Sequence, residues 1–260
     1  MRADIYLCDY GFVESRTKAS RLISEGKVLL DGKLLKKASE DVSDGEHTVE
    51  ILEADKYVGR GGLKLEGALE SFKVSVTGKR CIDVGASTGG FTDCLLQNGA
   101  LSVCAVDSGR GQLHDKLLFD ERVTSVEGFN ARGLTPEEFG FFDIAVTDVS
   151  FISQTLLHGP IASVLSDGAA FISLIKPQFE AGKSALGKNG IVKSPRDRES
   201  AIMRVVESAS LYGLALEDLI RSPIVGGDGN REYLALFIKG GKGRFTDESL
   251  KRLTKILCAD

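Results

Sequence analysis

The chain has 260 residues, and its 33 Lys and Arg residues against 37 Asp and Glu residues give a net charge of −4. About 42% of the residues are hydrophobic and 27% are charged, which is typical of globular proteins and excludes disordered, collagen-like and small disulfide-rich chains. No apolar run approaches the roughly 18 residues that a membrane-spanning helix needs.

The five cysteines are never spaced Cys-X-X-Cys, so we expect reduced, buried thiols rather than disulfides or a zinc site. The first residues include an acid, Asp4, and lack a long apolar segment, so a secretory signal is not expected. Together these features predict a cytoplasmic protein.

Residues 1–55 predict a small α+β domain. A short helix over 2–10 ends before Gly11, and a second helix begins at Ser15 and ends at Gly26. Short strands are predicted over 27–30, 33–35 and 47–52, with a hairpin turn at 31–32.

Charge is unevenly distributed within this domain. Residues 14–37 hold seven bases and three acids, whereas residues 38–55 hold seven acids and no Lys or Arg. Arg16, Lys18, Arg21 and Lys27 lie along the second helix and the strand after it, and we interpret them as a stripe that contacts nucleic-acid phosphates. The alternative, a solvated helix face, is the more common explanation of such a charge run.

After a glycine-rich linker over 56–62, strands alternate with helices as far as residue 240. This alternation predicts a mostly parallel, seven-stranded α/β sheet with helices on both faces. Strands are predicted over 81–84, 101–106, 122–126, 142–147, 169–175, 214–220 and 232–238, and helices over 63–72, 90–98, 155–165 and 196–212. A mobile loop is predicted over 186–193, and a basic tail over 241–260 with a helix from its N-cap, Asp247, to Cys258.

The first strand of this domain runs into a glycine-rich turn, residues 83–92, that opens a helix. Gly85 allows a tight turn, and Gly89 or Gly90 allows a ligand to approach the backbone. Ser87 stands where the dinucleotide fingerprint requires its second glycine, and no Gly-Lys-Ser/Thr follows as in a P-loop.

Acids at two strand ends favour S-adenosylmethionine as the ligand of this turn. Asp83 lies on the first strand, and Asp107 ends the second, where an acid can hold ribose hydroxyls. The alternative is a helix-capping turn with no ligand.

Polar residues also mark the ends of other apolar strands, where open α/β sheets place their sites. Asp148 and Lys176 each end an apolar run, and Glu232 precedes one. Each of them alone is compatible with a solvated strand end, although a lysine after an apolar run must bury its stem and is suited to proton transfer. Lys64, on the helix before the first strand, is equally compatible with a solvent-facing position.

These segments resemble the TlyA family, bacterial proteins that pair an S4 RNA-binding domain with an FtsJ-like ribose methyltransferase domain. The resemblance covers nearly all of residues 2–240. It rests on residues 15–28 with Asp31-Gly32, and on residues 59–64, 83–92, 148–153, 174–180 and 229–233. The linker aromatic is Tyr57, where a Trp is common in the family, and the tail beyond Lys239 lies outside the match.

The resemblance implies a Rossmann-like methyltransferase domain that uses S-adenosylmethionine to methylate the ribose 2′-oxygen of ribosomal RNA, with cytidine as the expected target. The Lys-Asp-Lys-Glu tetrad of FtsJ-like enzymes falls on Lys64, Asp148, Lys176 and Glu232. Lys176 would help to deprotonate the hydroxyl, Asp148 would hold its amine, and the other two would fix the ribose.

The expected ligand contacts complete this hypothesis. The cofactor-binding residues are Asp83, Gly85, Ser87, Gly89, Gly90, Phe91, Asp107 and Asn130, and the RNA-binding residues are Arg2, Arg16, Lys18, Arg21, Lys27 and Arg60. No metal is expected, because the three scattered histidines form no ligand cluster. The alternatives are a haemolysin or membrane-perturbing protein, also attributed to this family, and a non-catalytic RNA-binding protein. The sequence leaves the oligomeric state open.

Overall fold

A computed structural model describes residues 1–43, 45–52, 56–187, 189–226 and 229–259. The chain divides into two compact units, Met1–Asp55 and Lys56–Asp260. The first unit contains α1 (Ala3–Asp9), α2 (Arg16–Ser24), β1 (Val28–Leu30), β2 (Lys33–Leu34) and β3 (Val49–Ile51).

The first unit is a three-stranded antiparallel sheet, in the order β2-β1-β3, with two helices. Ser15 caps α2 by accepting a hydrogen bond from the backbone N–H of Lys18 at 3.2 Å, as predicted from its position. The apolar sides of α1 and α2 meet in one buried cluster that includes Leu7, Leu22 and Val28.

The second unit is built on a seven-stranded sheet in the order β6-β5-β4-β7-β8-β10-β9. Its strands are β4 (Arg80–Val84), β5 (Ser102–Asp107), β6 (Val123–Glu127), β7 (Phe142–Thr147), β8 (Leu165–Ile175), β9 (Leu214–Arg221) and β10 (Tyr233–Lys239). Its helices are α3 (Gly61–Phe72), α4 (Gly90–Gln97), α5 (Asp115–Leu118), α6 (Pro136–Phe139), α7 (His158–Ser163), α8 (Pro177–Glu180), α9 (Pro195–Ser210) and α10 (Asp247–Cys258), with 3-10 turns at Ala131–Gly133, Gln154–Leu156 and Lys183–Ala185.

The sheet is parallel from β6 to β8, and β10 runs antiparallel to both of its neighbours. Helices α3, α4 and α5 contribute to the buried cluster on one face of the sheet, and α7, α9 and α10 contribute to the cluster on the other. The predicted α/β class and mostly parallel sheet are therefore confirmed. All five cysteines are free thiols, and four of them are buried.

The helix predicted over 155–165 is wrong in its extent. A 3-10 turn, Gln154–Leu156, precedes a short α7, and β8 already begins at Leu165, where it pairs with Phe142 of β7. Pro160 lacks a backbone N–H and is tolerated only in the first turn of a helix, so α7 begins just before it. From Leu165 onward, the chain pairs with β7 as a strand and cannot continue the helix.

The segment predicted as a linker, 56–62, lies within the second unit. The Tyr57 ring is 3% exposed, and its hydroxyl donates to Glu66 at 3.0 Å. The backbone N–H of Val58 donates to Asp93 at 2.9 Å, and α3 already begins at Gly61. Helix α3 is thereby tied to α4.

The predicted tail, 241–260, also contains a packed element. Helix α10 has the predicted bounds, but its N-cap is Thr246, whose side chain accepts from the N–H of Ser249, and not Asp247. The buried guanidinium of Arg198 on α9 donates to the Cys258 carbonyl at 2.7 Å. Basic side chains at a helix C-terminus satisfy its free carbonyl groups.

The loop predicted over 186–193 is anchored at its C-terminal end. Val192 is 3% exposed, and its backbone N–H donates to the Asn230 side chain at 3.0 Å. Lys188, in the middle of this segment, lies outside the described residues.

Two glycines in the turn between β4 and α4 lie close to other parts of the protein. Gly89 has φ +93°, and a Cβ there would lie 2.1 Å from Leu117 Cδ1 and 2.8 Å from Leu113 Cδ1. A Cβ on Gly90 would lie 3.0 Å from the Gly59 carbonyl oxygen. The backbone and α5 therefore occupy the space that these glycines leave.

Replacing Gly89 with Ala should lower the free energy of unfolding by about 2–5 kcal/mol, because a left-handed conformation costs about 1–2 kcal/mol and an overpacked core costs about 1–3 kcal/mol. Urea unfolding followed by circular dichroism measures this loss. Gly111→Ala is the matched control, since Gly111 also has positive φ but nothing lies within 4 Å of its Cβ position. Equal losses in the two variants would contradict the packing role.

Candidate active site

The carboxyl ends of β4, β5 and β7 surround a cavity of about 510 Å³. Its lining comes from four stretches of the chain: the turn after β4, the end of β5, residues 129–131 and the loop after β7. This is the edge at which open α/β sheets bind their ligands.

Asp107 is held rigidly at the rim of this cavity. One carboxylate oxygen accepts from the N–H of Ser87 at 2.8 Å, and the other accepts from the N–H of Gly109 at 2.7 Å. The turn after β4 is bound to β5 as well, because the N–H groups of Gly85 and Ala86 both donate to the Val106 carbonyl. A carboxylate has about four acceptor positions, so Asp107 keeps acceptor capacity toward the cavity.

The other predicted cofactor residues differ in their exposure. Asn130 lies at the surface of the cavity, and its side chain accepts from the N–H of Arg132 at 3.1 Å. Phe91 is 2% exposed and borders a second, smaller cavity of about 180 Å³. Gly90 borders that smaller cavity too, whereas Gly89 packs against Leu117.

Asp83 does not line either cavity. It is fully buried on β4 and accepts a hydrogen bond from the Thr92 hydroxyl of α4 at 2.7 Å. Burial raises the pKa of this carboxyl to about 7, and the hydrogen bond from Thr92 offsets part of that rise. Asp83 therefore joins β4 to α4 behind the turn, and the predicted direct contact with a ligand is not supported by its position.

Lys176 and Asp148 meet where β8 and β7 end. The Lys176 amine lies 2.5 Å from Oδ1 of Asp148 and donates to the Ser150 hydroxyl at 2.7 Å. Lys176 is only 8% exposed, so its stem lies among protein atoms while its amine reaches the smaller cavity.

Lys64 and Glu232 form a second buried pair. The Lys64 amine donates to Oε2 of Glu232 at 2.6 Å, and the two residues are 8% and 4% exposed. The alternative of a solvent-facing Lys64 is therefore wrong. A Cβ on Gly226 would lie 2.7 Å from Oε1 of Glu232, so a side chain there would displace the carboxylate.

The fold brings both pairs to one place. Ile175 of β8 pairs with Tyr233 of β10, so Lys176, which follows β8, and Glu232, which precedes β10, lie at the same edge of the sheet. Gly61 lies one helical turn before Lys64, and its Cβ position is 3.5 Å from Oδ2 of Asp148. The N-terminal turns of α3 thus contact one pair and contribute to the other.

The two cavities share four bordering residues, which are Gly85, Ser87, Asp148 and Ser150. The Lys176 amine donates a hydrogen bond to one of these four, Ser150, and forms an ion pair with another, Asp148. It therefore lies at the junction between the larger cavity and the smaller one.

The loop after β7 is hydrogen-bonded to Glu180, a contact that the sequence pattern did not predict. The buried carboxylate of Glu180 accepts from the Ser153 hydroxyl at 2.6 Å and from the N–H of Gln154 at 2.8 Å, and burial raises its pKa. Phe151 has φ +64°, a strained conformation that costs about 1–3 kcal/mol in a non-glycine residue. Its ring is 93% exposed and contacts Phe179 at a centroid distance of 5.3 Å.

Ser150, Phe151 and Glu180 lie in segments 148–153 and 174–180, where the sequence pattern singles out only the strand-end acid and lysine. A second carboxylate without a predicted role, Glu127 at the end of β6, accepts from the N–H groups of Gly111, Gln112 and Leu113. These hydrogen bonds lower the pKa of Glu127. They also fix the conformation of the loop that contains Gln112, which lines the larger cavity. The position of Glu127, a polar residue at the end of a strand, is the sequence feature that could have indicated this role.

The predicted phosphate-contacting stripe in the first unit is interleaved with acids. Lys18 pairs with Glu14 at 2.7 Å, and Arg21 and Lys27 pair with Glu25 at 3.2 and 3.5 Å. Such exposed pairs are worth about 0–1 kcal/mol each, so a phosphate can compete for the cations.

Arg2 and Arg16 share a more buried partner. Both guanidinium groups donate to Asp4, at 2.8 and 3.1 Å, and these contacts, chiefly that of Arg2, lower the pKa of Asp4 to about 2. Arg60, in the second unit, donates to the Val225 carbonyl at 3.2 Å and borders the same cavity as Lys176.

Metal-binding clusters and membrane-spanning helices are both absent from the described ranges. In the parts of the chain that the structure describes, no group of three or more His, Cys, Asp or Glu residues is arranged to hold a metal ion. Within the same ranges, no helix combines the length and apolar character needed to cross a membrane.

Comparison with known proteins gives strong matches over both units. The FtsJ-like methyltransferase family matches residues 57–239, and the S4 domain matches residues 1–47. The 16S/23S rRNA (cytidine-2′-O)-methyltransferase TlyA of Mycobacterium tuberculosis is 42% identical over 234 residues, which cover 89% of this chain and 87% of that protein. Hemolysin A of Brachyspira hyodysenteriae is 41% identical over 240 residues, which cover 92% of this chain and 100% of that protein.

A solved structure from Streptococcus thermophilus, provisionally named a hemolysin, has the same architecture. It is 41% identical, with a TM-score of 0.78, and the match covers 99% of this chain and 95% of that one. The family match over most of the chain, together with relatives of this identity and coverage, shows that the chain belongs to the TlyA family, in which an S4 domain accompanies an FtsJ-like methyltransferase domain.

Proposed function

We propose that this protein uses S-adenosylmethionine to methylate the ribose 2′-hydroxyl of cytidine in ribosomal RNA. The observation that carries the proposal is the buried Lys176 amine, held by Asp148 at the junction of two cavities. The activity named for the TlyA relative supports the choice of substrate. With ribosomal RNA or ribosomal subunits as its partner, the protein would act in the cytoplasm.

The larger cavity fits the proposed cofactor. Its volume of about 510 Å³ falls within the roughly 300–1,000 Å³ that is usual for small-molecule sites. Asp107 has acceptor capacity for ribose hydroxyls, and Gly85, Ser87 and Asn130 border the same space. S-adenosylmethionine bound there would supply a methyl group on a sulfonium, which is already an activated electrophile.

The residues at the junction suit the remaining chemistry. A ribose hydroxyl is a poor nucleophile, so alignment and removal of one proton are the main requirements. The Lys176 amine, once it has released one of its protons to solvent, would accept the hydroxyl proton while the 2′-oxygen takes the methyl group, and Asp148 would stabilise the ammonium that forms again. Lys64 and Glu232, fixed by their own ion pair, would hold the target ribose.

The S4 domain supports RNA as the substrate. A 2′-hydroxyl distinguishes RNA from DNA, so a ribose methyltransferase requires an RNA-binding surface. In the first unit the candidate cations are Arg2, Arg16, Lys18, Arg21 and Lys27, and in the second unit the candidate is Arg60. The five cations of the first unit are paired with acids, so RNA binding would exchange these ion pairs for phosphate contacts.

Two other functions predicted from the sequence have less support. A non-catalytic RNA-binding protein would have no use for two buried lysine–carboxylate pairs at a cavity junction, since burying charged groups is costly. A membrane-perturbing activity is favoured by the name of the Brachyspira relative. Helix α10, a strongly amphipathic element, nevertheless packs Leu250 and Cys258 into the second unit.

Lys176→Ala should lower the turnover of rRNA methylation by about 10²–10⁴-fold, because positioned proton transfer contributes about that much. Lys176→Arg should not restore it, since a guanidinium keeps its proton near neutral pH. Transfer of a labelled methyl group to ribosomal RNA, with mapping of the 2′-O-methyl position, measures the effect. Lys251→Ala, an exposed lysine of α10, is the control. Near-normal turnover of Lys176→Ala would contradict the proposed function.

Asp107→Ala should weaken S-adenosylmethionine binding about 10- to 100-fold, because hydrogen bonds to a charged group are worth about 1.5–3 kcal/mol. Isothermal titration calorimetry on the full chain measures this change. Asp167→Ala is the matched control, since Asp167 lies on the exposed first half of β8, away from the carboxyl end. If both variants bind the cofactor like the natural chain, the cavity is not its site.

Replacing Arg16, Lys18 and Arg21 together with Ala should flatten the salt dependence of RNA binding, by about one unit of log–log slope for each phosphate group that the variant no longer binds. Filter binding to ribosomal RNA at several salt concentrations measures the slope. The charge-matched control replaces Lys251, Arg252 and Lys255 of α10. An unchanged slope would mean that these three residues do not bind the phosphate groups of RNA.

A further inference from the structure

We propose that Ser150 is a positioning residue for methyl transfer: its hydroxyl directs the Lys176 amine toward the target ribose. This inference rests on the proposed function and adds a residue to it. The Lys176 amine donates to the Ser150 hydroxyl at 2.7 Å and lies 2.5 Å from Asp148.

The geometry of an amine explains why two partners are needed. A lysine nitrogen has three positions besides its bond to Cε. One hydrogen bond fixes rotation about the Cε–Nζ bond, but the lone pair can still take either of the two remaining positions. With Ser150 as the hydrogen-bond acceptor and Asp148 beside the amine as its charged partner, one position remains, and there a lone pair can meet the substrate hydroxyl.

The place of Ser150 in the fold suits this task. It borders both cavities, so the direction that it sets is defined at the point where the cofactor and the ribose would meet. Phe151, the next residue, has a left-handed backbone conformation. Further along the same loop, Ser153 and Gln154 donate hydrogen bonds to the Glu180 carboxylate. The hydroxyl therefore comes from a loop whose course is constrained.

The neutrality of the hydroxyl matters as well. Asp148 supplies one negative charge to Lys176, and the other charged groups nearby are Arg60 in the same cavity and the Lys64–Glu232 pair at the adjoining strand. A second carboxylate in contact with the amine would favour its ammonium form, which cannot accept a proton. A hydroxyl sets the direction of the amine without adding such a charge.

Ser150→Ala should lower the single-turnover rate of rRNA methylation by about 10- to 100-fold, the scale expected for a reacting group that loses its alignment. S-adenosylmethionine affinity, the KM for rRNA and the melting temperature should stay close to those of the natural chain. Ser150→Thr retains the hydroxyl and should restore most of the rate. Ser210→Ala, at the exposed end of α9, is the control and should behave like the natural chain.

Ser150→Asp separates positioning from a merely structural role. The ammonium form of Lys176 cannot accept a proton, so the methylation rate should rise with pH. Ser150→Asp retains an acceptor but adds a negative charge beside the amine, so this rise should move to higher pH. Ser150→Ala should instead lower the rate at every pH. Normal turnover in Ser150→Ala, failure of Ser150→Thr to restore the rate, or an unmoved pH profile in Ser150→Asp would each overturn the proposal. A natural chain that methylates no rRNA would instead overturn the proposed function, and this inference with it.

Discussion

Among the residues that the structure describes, two lysine side chains are buried, and the structure of the second unit depends on pairing each of them with a carboxylate. An unpaired buried charge is strongly destabilising, so Lys176 requires Asp148 and Lys64 requires Glu232. The partners of the second pair, Lys64 and Glu232, lie 168 residues apart in the chain. The start of α3, the ends of β7 and β8 and the start of β10 must therefore converge before both pairs can form.

The sheet makes this convergence possible. In its parallel part, β7 and β8 deliver Asp148 and Lys176 from their carboxyl ends, whereas β10 runs the opposite way and delivers Glu232 from its first end. The parallel strands bring to this edge only residues that follow a strand. Because β10 is antiparallel to β8, it also brings Glu232, a residue that precedes a strand. The same edge carries Asp107, so the cofactor cavity and the paired lysines are products of one topology.

Around this edge, carboxyl groups hold the backbone in place. Asp83 joins β4 to α4, Glu180 holds the loop that carries Ser150, and Asp107 joins the turn after β4 to the loop after β5. Asp83 and Glu180 are both buried and accept hydrogen bonds from neighbouring groups of the protein, so they stabilise the backbone around the site. A site built in this way has little freedom to rearrange, which suits a reaction that depends on alignment.

The sequence by itself determined the alternation of strands and helices, the α/β class and the strand-end positions of Asp148, Lys176 and Glu232, because a polar residue beside an apolar run is a local pattern. The ends of α7 were less predictable, because the pairing of Leu165 with a distant strand decides where the helix stops. The N-cap of α10 was less predictable too, because Thr246 and Asp247 are adjacent and both can cap a helix. Only the tertiary structure decided that Lys64 is buried against Glu232, that Gly89 makes room for Leu117, and that Asp83 lies behind the cavity. In each case the deciding neighbour is distant in the chain or on another element, and burial and pairing are properties of neighbours in space.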